Sequence, residues 1–550
     1  MRLFVCKHVP QTRSTVRTGL LLAALASGAA ASAVPGFEDV SAQFHWERIW
    51  EPAVMGLGGA AWLDYDSDGD LDLFVTNSAG GANALFRNDG KGGFVDVASA
   101  AGVAGGAGHT GAAVADVDNN GTPDLFLTGA GSMFGAGISS RLYLNNGDGT
   151  FSDATESAGI DTTLSAMMPI FGDIDLDGYV DLFLTVPGNL LTGEMAPQML
   201  YRNNGDGTFS DISASAGVDT AKGGCVAAFT DVNRDLRPDI VVGNCNALDL
   251  SGGAPLPIPG PWELWINQGD NTFVDAADAA GLNARPGFPM AMTVGDPDLD
   301  GDFDMFATGM GIDNPFAPGL LGEQVLFLND AVAGYRDGTY SNGLGGFEWG
   351  WGASFADFDN DGDEDLATTG SVAGAVLSFL GEQGGPGRIF ENDGTGALSA
   401  THNFGLQDLY TSGLAVADYD GDGFTDIAIV KTAFEIDTPE GVLSGDGRPV
   451  LLRNQGNGNR SVTVRLEGTA SNRMGIGARV WLANRYGRQV REVSSGNSFA
   501  SNSSPWLTFG MRDAWQGRVV VRWPSGTFEM FGVTAGGPVV TLTEGAGTPL

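Results

Sequence analysis

Histidine, cysteine and positive charge are all scarce in this chain. Of 550 residues, four are His, three are Cys and 28 are Lys or Arg, against 67 Asp and Glu. So few histidines leave little for acid–base or metal-centred catalysis to work with. No HExxH, GxSxG or phosphate-binding loop makes up for them. A formal charge of −39 argues against a nucleic-acid partner and for a requirement for cations. Helical periodicity is also scarce, whereas 85 glycines point to many short strands joined by tight turns.

Residues 1–33 differ from the rest. Arg2, Lys7, Arg13 and Arg17 precede the apolar stretch GLLLAALASGAAASA, which ends in Ala31-Ser32-Ala33. This is the pattern of a cleavable secretory signal, expected to be removed after Ala33. The apolar run is short of the roughly 20 residues a span needs, and no later segment could cross a bilayer. Removal of the leader takes Cys6 and leaves Cys225 and Cys245, each ten positions from Asp235. A hairpin turning at Asp235 would set them opposite each other, as a disulfide in an oxidising compartment or as two buried thiols.

The dominant signal is self-similarity. A string of the form DxDxDGxxD recurs as DYDSDGDLD, DVDNNGTPD, DIDLDGYVD, DVNRDLRPD, DPDLDGDFD, DFDNDGDED and DYDGDGFTD, starting at Asp64, Asp116, Asp173, Asp231, Asp296, Asp357 and Asp418. The starts lie 52 to 65 residues apart, a spacing suited to one four-stranded blade. Each copy follows a small-residue run such as GLGGAAWL and precedes an apolar strand such as LDLFVT. A third strand and a turn follow, as in LYLNNGDGTFSDA and LYRNNGDGTFSDI, and the fourth strand begins at the F-x-D element. The expected fold is an all-β, seven-bladed propeller over residues 34–454, its last blade completed by the strand at Phe37. A small Arg-rich β-domain over 455–550 follows, with ten Arg against five acids.

Carboxylates at alternate positions of a tight loop repel one another unless a hard cation sits among them, and oxygen-only ligation points to calcium. The expected ligands are side-chain oxygens at positions 1, 3, 5 and 9 and the backbone carbonyl at position 7. In chain order these are Asp64, Asp66, Asp68, Asp70 and Asp72; Asp116, Asp118, Asn120, Thr122 and Asp124; Asp173, Asp175, Asp177, Tyr179 and Asp181; Asp231, Asn233, Asp235, Arg237 and Asp239; Asp296, Asp298, Asp300, Asp302 and Asp304; Asp357, Asp359, Asp361, Asp363 and Asp365; and Asp418, Asp420, Asp422, Phe424 and Asp426. Position 7 varies freely, as a carbonyl donor can. Position 10 is always apolar, as a core position must be. In the fourth copy Asn233 replaces an acid and Leu236 stands where glycine belongs, so of up to seven calcium ions that one binds most weakly or not at all. The expected role of the ions is structural.

These repeats resemble FG-GAP/VCBS repeats, the propeller type also found in integrin α-chains. NRMGIGARVWL, RQVREVSSGNSFAS, LTFGM and VVVRWPSG in the tail resemble an ASPIC/UnbV domain, and the combination is similar to the cartilage acidic protein family. The resemblance implies a secreted or periplasmic calcium-binding protein, linked to adhesion at the cell surface, with an extracellular protein or glycan as ligand and no established catalytic residues. The alternative is a carbohydrate-active enzyme, a polysaccharide lyase or sugar dehydratase, with a site built on His109 or His402.

A meander puts the metal loops and the NGDGT turns at one end of the blades. The long connections TGAGSMFGAGISS, GNCNALDLSGGAPLPIPGP, TGMGIDNPFAPGLLGEQ and TGSVAGAVLSFLGEQGGPG then lie at the other end, where a partner is expected. His109, Met167, Met168, Phe288, Glu348, Trp349, Trp351 and Tyr410 would ring the channel mouth there, the tryptophans serving either for sugar stacking or as core. Arg473, Arg479, Arg485, Arg488 and Arg491 would either dock on the acidic ring or hold an anionic partner.

Overall fold

The computed structural model describes residues 34–44, 57–77, 81–105, 108–129, 139–161, 165–189, 192–249, 256–309, 324–330, 334–345, 350–370, 387–403, 411–431, 433–438, 441–446 and 448–550. Residues 1–33, Glu348, Trp349, Tyr410 and most of three of the four long connections lie outside them, as does the side chain of His402.

Strands and turns fall where glycine and β-branched or aromatic residues put them. Each repeat folds as a four-stranded antiparallel meander, the first being Ala60–Leu63, Asp72–Val75, Ala84–Asn88 and Phe94–Asp96. There are seven such four-stranded sheets among the described residues. Their first strands contact one another in chain order, and the strand Thr411–Ala417 of the last sheet contacts Ala60–Leu63 of the first. The result is a propeller-like ring. Its last sheet takes Phe37–Asp39 as its outer strand, with Phe37 opposite Asn454, which is the offset closure the sequence implied. Such radial repetition leaves only short, protected sheet edges.

The position-10 residues Leu73, Leu125, Leu182, Ile240, Met305, Leu366 and Ile427 are all buried, as an apolar face packed between neighbouring sheets requires. Cys225 and Cys245 form a disulfide across the first hairpin of the fourth sheet. The connection after Val242 prolongs Asp239–Asp249 and Leu256–Asn267 into a paired ribbon.

The ring is stapled by a residue the sequence reading passed over. Asn88, Asn145, Asn203, Asn267, Asn392 and Asn454 each donate a backbone N–H to the position-9 aspartate of their own sheet, at 2.7–2.9 Å. Their side-chain amides donate at 2.7–2.9 Å to a backbone carbonyl in the metal loop of the preceding sheet, as Asn203 does to Val117.

Beyond the ring, Arg460–Glu467, Leu507–Arg512 and Val540–Thr543 form one sheet, and Arg479–Ala483, Arg488–Glu492, Gln516–Arg522, Phe528–Thr534 and Thr548–Pro549 form another. Val462, Val464, Phe509 and Leu542 of the first pack with Val480, Leu482, Val519 and Val521 of the second in one apolar cluster, a small β-sandwich. Residues Ser32–Leu550 form one compact unit, so ring and sandwich are packed together.

Candidate metal loops and the sandwich that covers them

Every repeat loop closes the same way. The backbone at position 6 is left-handed at Gly69, Gly121, Gly178, Gly301, Gly362 and Gly423, with φ between +89° and +105°, which is why glycine stands there. Leu236 takes the same conformation in the fourth loop at φ +83°, a strained position for a side chain. Position 4 is also left-handed, at Ser67, Asn119, Leu176, Arg234, Leu299, Asn360 and Gly421, a constraint the sequence pattern did not reveal.

This turn aims N–H groups at the carboxylates. Asp116 accepts from Asn120 and Gly121, Asp173 from Asp177 and Gly178, and Asp357 from Asp361 and Gly362, at 2.7–3.1 Å. The position-9 carboxylate accepts from position 2, as Asp72 does from Tyr65 and Asp181 from Ile174.

Side-chain oxygens of three aspartates converge within 4.8 Å of one another in at least five loops. The sets are Asp64, Asp66 and Asp72; Asp116, Asp118 and Asp124; Asp173, Asp175 and Asp181; Asp296, Asp298 and Asp300; and Asp357, Asp359 and Asp361. Thus the first three loops bring together positions 1, 3 and 9, while the fifth and sixth bring together 1, 3 and 5. The position-7 residues Asp70, Thr122, Tyr179, Asp302 and Asp363 contribute no side chain to these sets. Burial, assisted by the neighbouring carboxylates, pushes Asp72 up to about 8 and Asp116, Asp173, Asp296 and Asp418 up to about 7. Asp124, Asp181, Asp357, Asp365 and Asp426 move well above the carboxylate range for the same reason. One carboxylate oxygen each of Asp66, Asp175, Asp304 and Asp418 is buried without a hydrogen-bond partner. A buried carboxylate oxygen left bare is costly, and an oxygen-seeking cation satisfies it; the donor set therefore fits a hard divalent ion.

The sandwich lies over these loops. Arg465 reaches Asp64, Arg522 reaches Asp231, Arg512 reaches Asp361, and the Gly510 N–H donates to Asp357. The Arg473 N–H donates to Asn119 and Arg491 pairs with buried Glu364. Of the five arginines in question, Arg479 and Arg491 are thus buried against the ring, Arg473 pairs with Glu467 and Arg485 with Asp513, while Arg488 is exposed.

Between strands of the sandwich, residues 495–504 enter the ring axis. Their backbone and side chains bond the first strands of six of the seven sheets, at Ala60 and Trp62, Ala112 and Val114, Phe171, Met292, Ala353, and Val416. Phe499 sits edge-on to Trp351 with ring centroids 4.9 Å apart.

This arrangement corrects the expectation of a residue-lined mouth. His109, Met167, Met168, Phe288 and Trp351 are all buried. Trp351 is core against Phe499 rather than a sugar platform. The His109 Nδ1 meets the Asn83 amide at 3.2 Å, and burial, with Arg141 nearby, pushes its pKa down to about 4, so it is a neutral packed side chain.

Family models match both the repeats and the C-terminal sandwich. The ASPIC and UnbV family model matches residues 468–549, and the FG-GAP-like repeat model matches 64–127, 132–184 and 376–429. The chain carries FG-GAP-like repeats and an ASPIC and UnbV domain. Over 200 residues, 35% of this chain and 28% of the relative, it is 30% identical to cartilage acidic protein 1 of Xenopus tropicalis. Over 348 residues, 62% of this chain and 39% of the relative, it is 26% identical to cartilage acidic protein 1 of Homo sapiens. It therefore spans well under half the length of these relatives. Among solved structures, a Dos1 propeller aligns with TM-score 0.36 at 10% identity, covering 71% of this chain and 76% of that one.

Proposed function

We propose that the protein is an exported calcium-binding interaction scaffold, in which an FG-GAP ring (residues 34–454) is closed by calcium in its repeat loops and capped by the ASPIC and UnbV domain (455–550). The observation that carries the reading is the convergence of three carboxylates in loop after loop, with buried oxygens of Asp66, Asp175, Asp304 and Asp418 left bare. Calcium fits better than magnesium because the loops offer more oxygens than an ion that keeps its water would use. The signal-like pattern of residues 1–33 and the Cys225–Cys245 disulfide support export to an oxidising compartment. No helix among the described residues is long and apolar enough to cross a membrane.

The ligand is proposed to be an extracellular protein or glycan that meets the end of the ring away from the metal loops, since the loop end lies beneath the sandwich. Metal analysis of the mature chain and melting with calcium, magnesium and EGTA test the reading. Bound calcium and a large calcium-specific rise in melting temperature are expected. Equal melting with calcium and with EGTA would overturn it.

A further inference from the structure

The fourth loop departs from the others in its charge and in what touches it. Its carboxylates are Asp231, Asp235 and Asp239, with Asn233 at position 3 and Leu236 at position 6. The backbone still folds as the others do: the N–H groups of Asp235 and Leu236 donate to Asp231 at 2.9 and 3.1 Å. Into this cradle comes Arg522, at the end of the sandwich strand Gln516–Arg522, with Nη2 2.8 Å from Asp231 Oδ2. Both side chains are nearly inaccessible, at 8% and 4% exposure. Arg479 donates from Nη2 to the Asp231 carbonyl at 3.1 Å and lies 3.9 Å from Glu492, whose side chain is 10% exposed. Arg237, the position-7 residue, pairs with Asp235 at 3.3 Å.

We propose that Arg522 takes the place of the cation in this loop, so that the fourth repeat is joined to the sandwich by a guanidinium rather than organised by calcium. The inference rests on the calcium reading of the other loops. Two guanidinium groups, Arg479 and Arg522, face Asp231 and Glu492 without an ion, while the buried Asp239 carboxylate accepts from the Val232 and Asn267 N–H groups. A divalent cation added to it would meet two nearly inaccessible guanidinium groups, whereas the arginines at other loops, Arg465 at Asp64, Arg202 at Asp175 and Asp177, and Arg512 at Asp361, are 30–39% exposed. The first loop provides the contrast: Arg465 lies 3.3 Å from Asp64 but its side chain is 39% exposed, and the carboxylates of Asp64, Asp66 and Asp72 still converge beside it. The first strand of the fourth sheet, Gly224–Thr230, leads straight into this loop, and the arginines give that sheet a tie to the sandwich of its own.

Calcium bound per chain, measured on purified folded mature protein, tests this. Asp231→Asn is expected to bind as many ions as the natural chain, whereas Asp418→Asn in the seventh loop loses one. The triple variant Asn233→Asp, Leu236→Gly, Arg522→Met, which rebuilds the pattern and withdraws the guanidinium, is expected to gain one. In melting experiments Asp231→Asn should lower the midpoint equally in calcium and in EGTA, while Asp418→Asn lowers it only in calcium. Loss of an ion in Asp231→Asn overturns the proposal while leaving the calcium reading intact. No calcium on the natural chain or on any variant overturns both.

Discussion

Single positions in this molecule show why the repeat is spelled as it is. Gly69 takes φ +93° with open space where a Cβ would be, so Gly69→Ala measures backbone strain alone. It should cost about 1 kcal/mol in chemical denaturation, and Leu236→Gly should return about as much. Asn203 holds two backbone carbonyls, those of Val117 and Val180, from a buried position. Asn203→Ala leaves both unpaired and should cost about 2–4 kcal/mol. Glu544 supplies a pH signature. Against the opposing effect of burial, the N–H groups of Ser471, Thr469 and Ala470 and the Ser525 hydroxyl hold its carboxyl down to about 2. A depressed carboxyl stabilises the fold above its unfolded pKa and ceases to as pH falls through the folded one. Glu544→Gln should therefore lower the melting temperature at pH 6, with the difference from the natural chain fading between about pH 4 and pH 2. The glycine at position 6 and the apolar position 10 were legible in the sequence because each answers to its own backbone or sheet. The asparagine staple was spelled in every LYLNN-type segment yet said nothing, because its partner carbonyl lies a whole repeat earlier.

At the scale of the loop, the carboxylates act together. In the metal-free chain Asp72, Asp116, Asp173, Asp296 and Asp418 rise from 3.8 to about 7 or 8. A carboxyl raised by folding stabilises the fold only while protonated, so this contribution is whole below about pH 4 and gone above about pH 8. Melting in EGTA should fall steadily across that window, and calcium should restore most at the alkaline end, where ionised carboxylates are free to bind it. The sixth loop should stand apart kinetically: Asp357, Asp359 and Asp361 are all buried beneath Gly510 and Arg512. Rapid mixing with a chelator should show a slow phase of calcium release that Arg512→Ala accelerates severalfold. The sequence revealed loop spacing and ligand types, and the hairpin that sets Cys225 against Cys245, since these are local. It did not reveal which loops are roofed, because the roof is built from residues 151 to 401 positions away.

In the whole molecule, the acidic ring and the basic tail prove complementary: of the five arginines expected either to dock or to bind a partner, Arg479 and Arg491 are buried against the ring, and Arg465, Arg512 and Arg522 reach its loop aspartates as well. Charge totals could suggest that attraction but not its address. Whether residues at the ends of the first strands open to solvent or lie sealed in the axis depends on a segment, SSGNSFASN, whose letters carry no periodic signal. Phe499, buried against Trp351, is the anchor of that segment. Phe499→Ala should cost about 3–5 kcal/mol and lower the melting of ring and sandwich as one transition.

Residues 495–504 work as an axle that pins six of the seven spokes. They follow the ring in the chain, so every spoke is made before the axle that pins it, and a chain emerging N-terminus first has to wait, loosely assembled, for its own hub. A protease meeting the protein during that interval would find hairpins to cut that the finished wheel conceals.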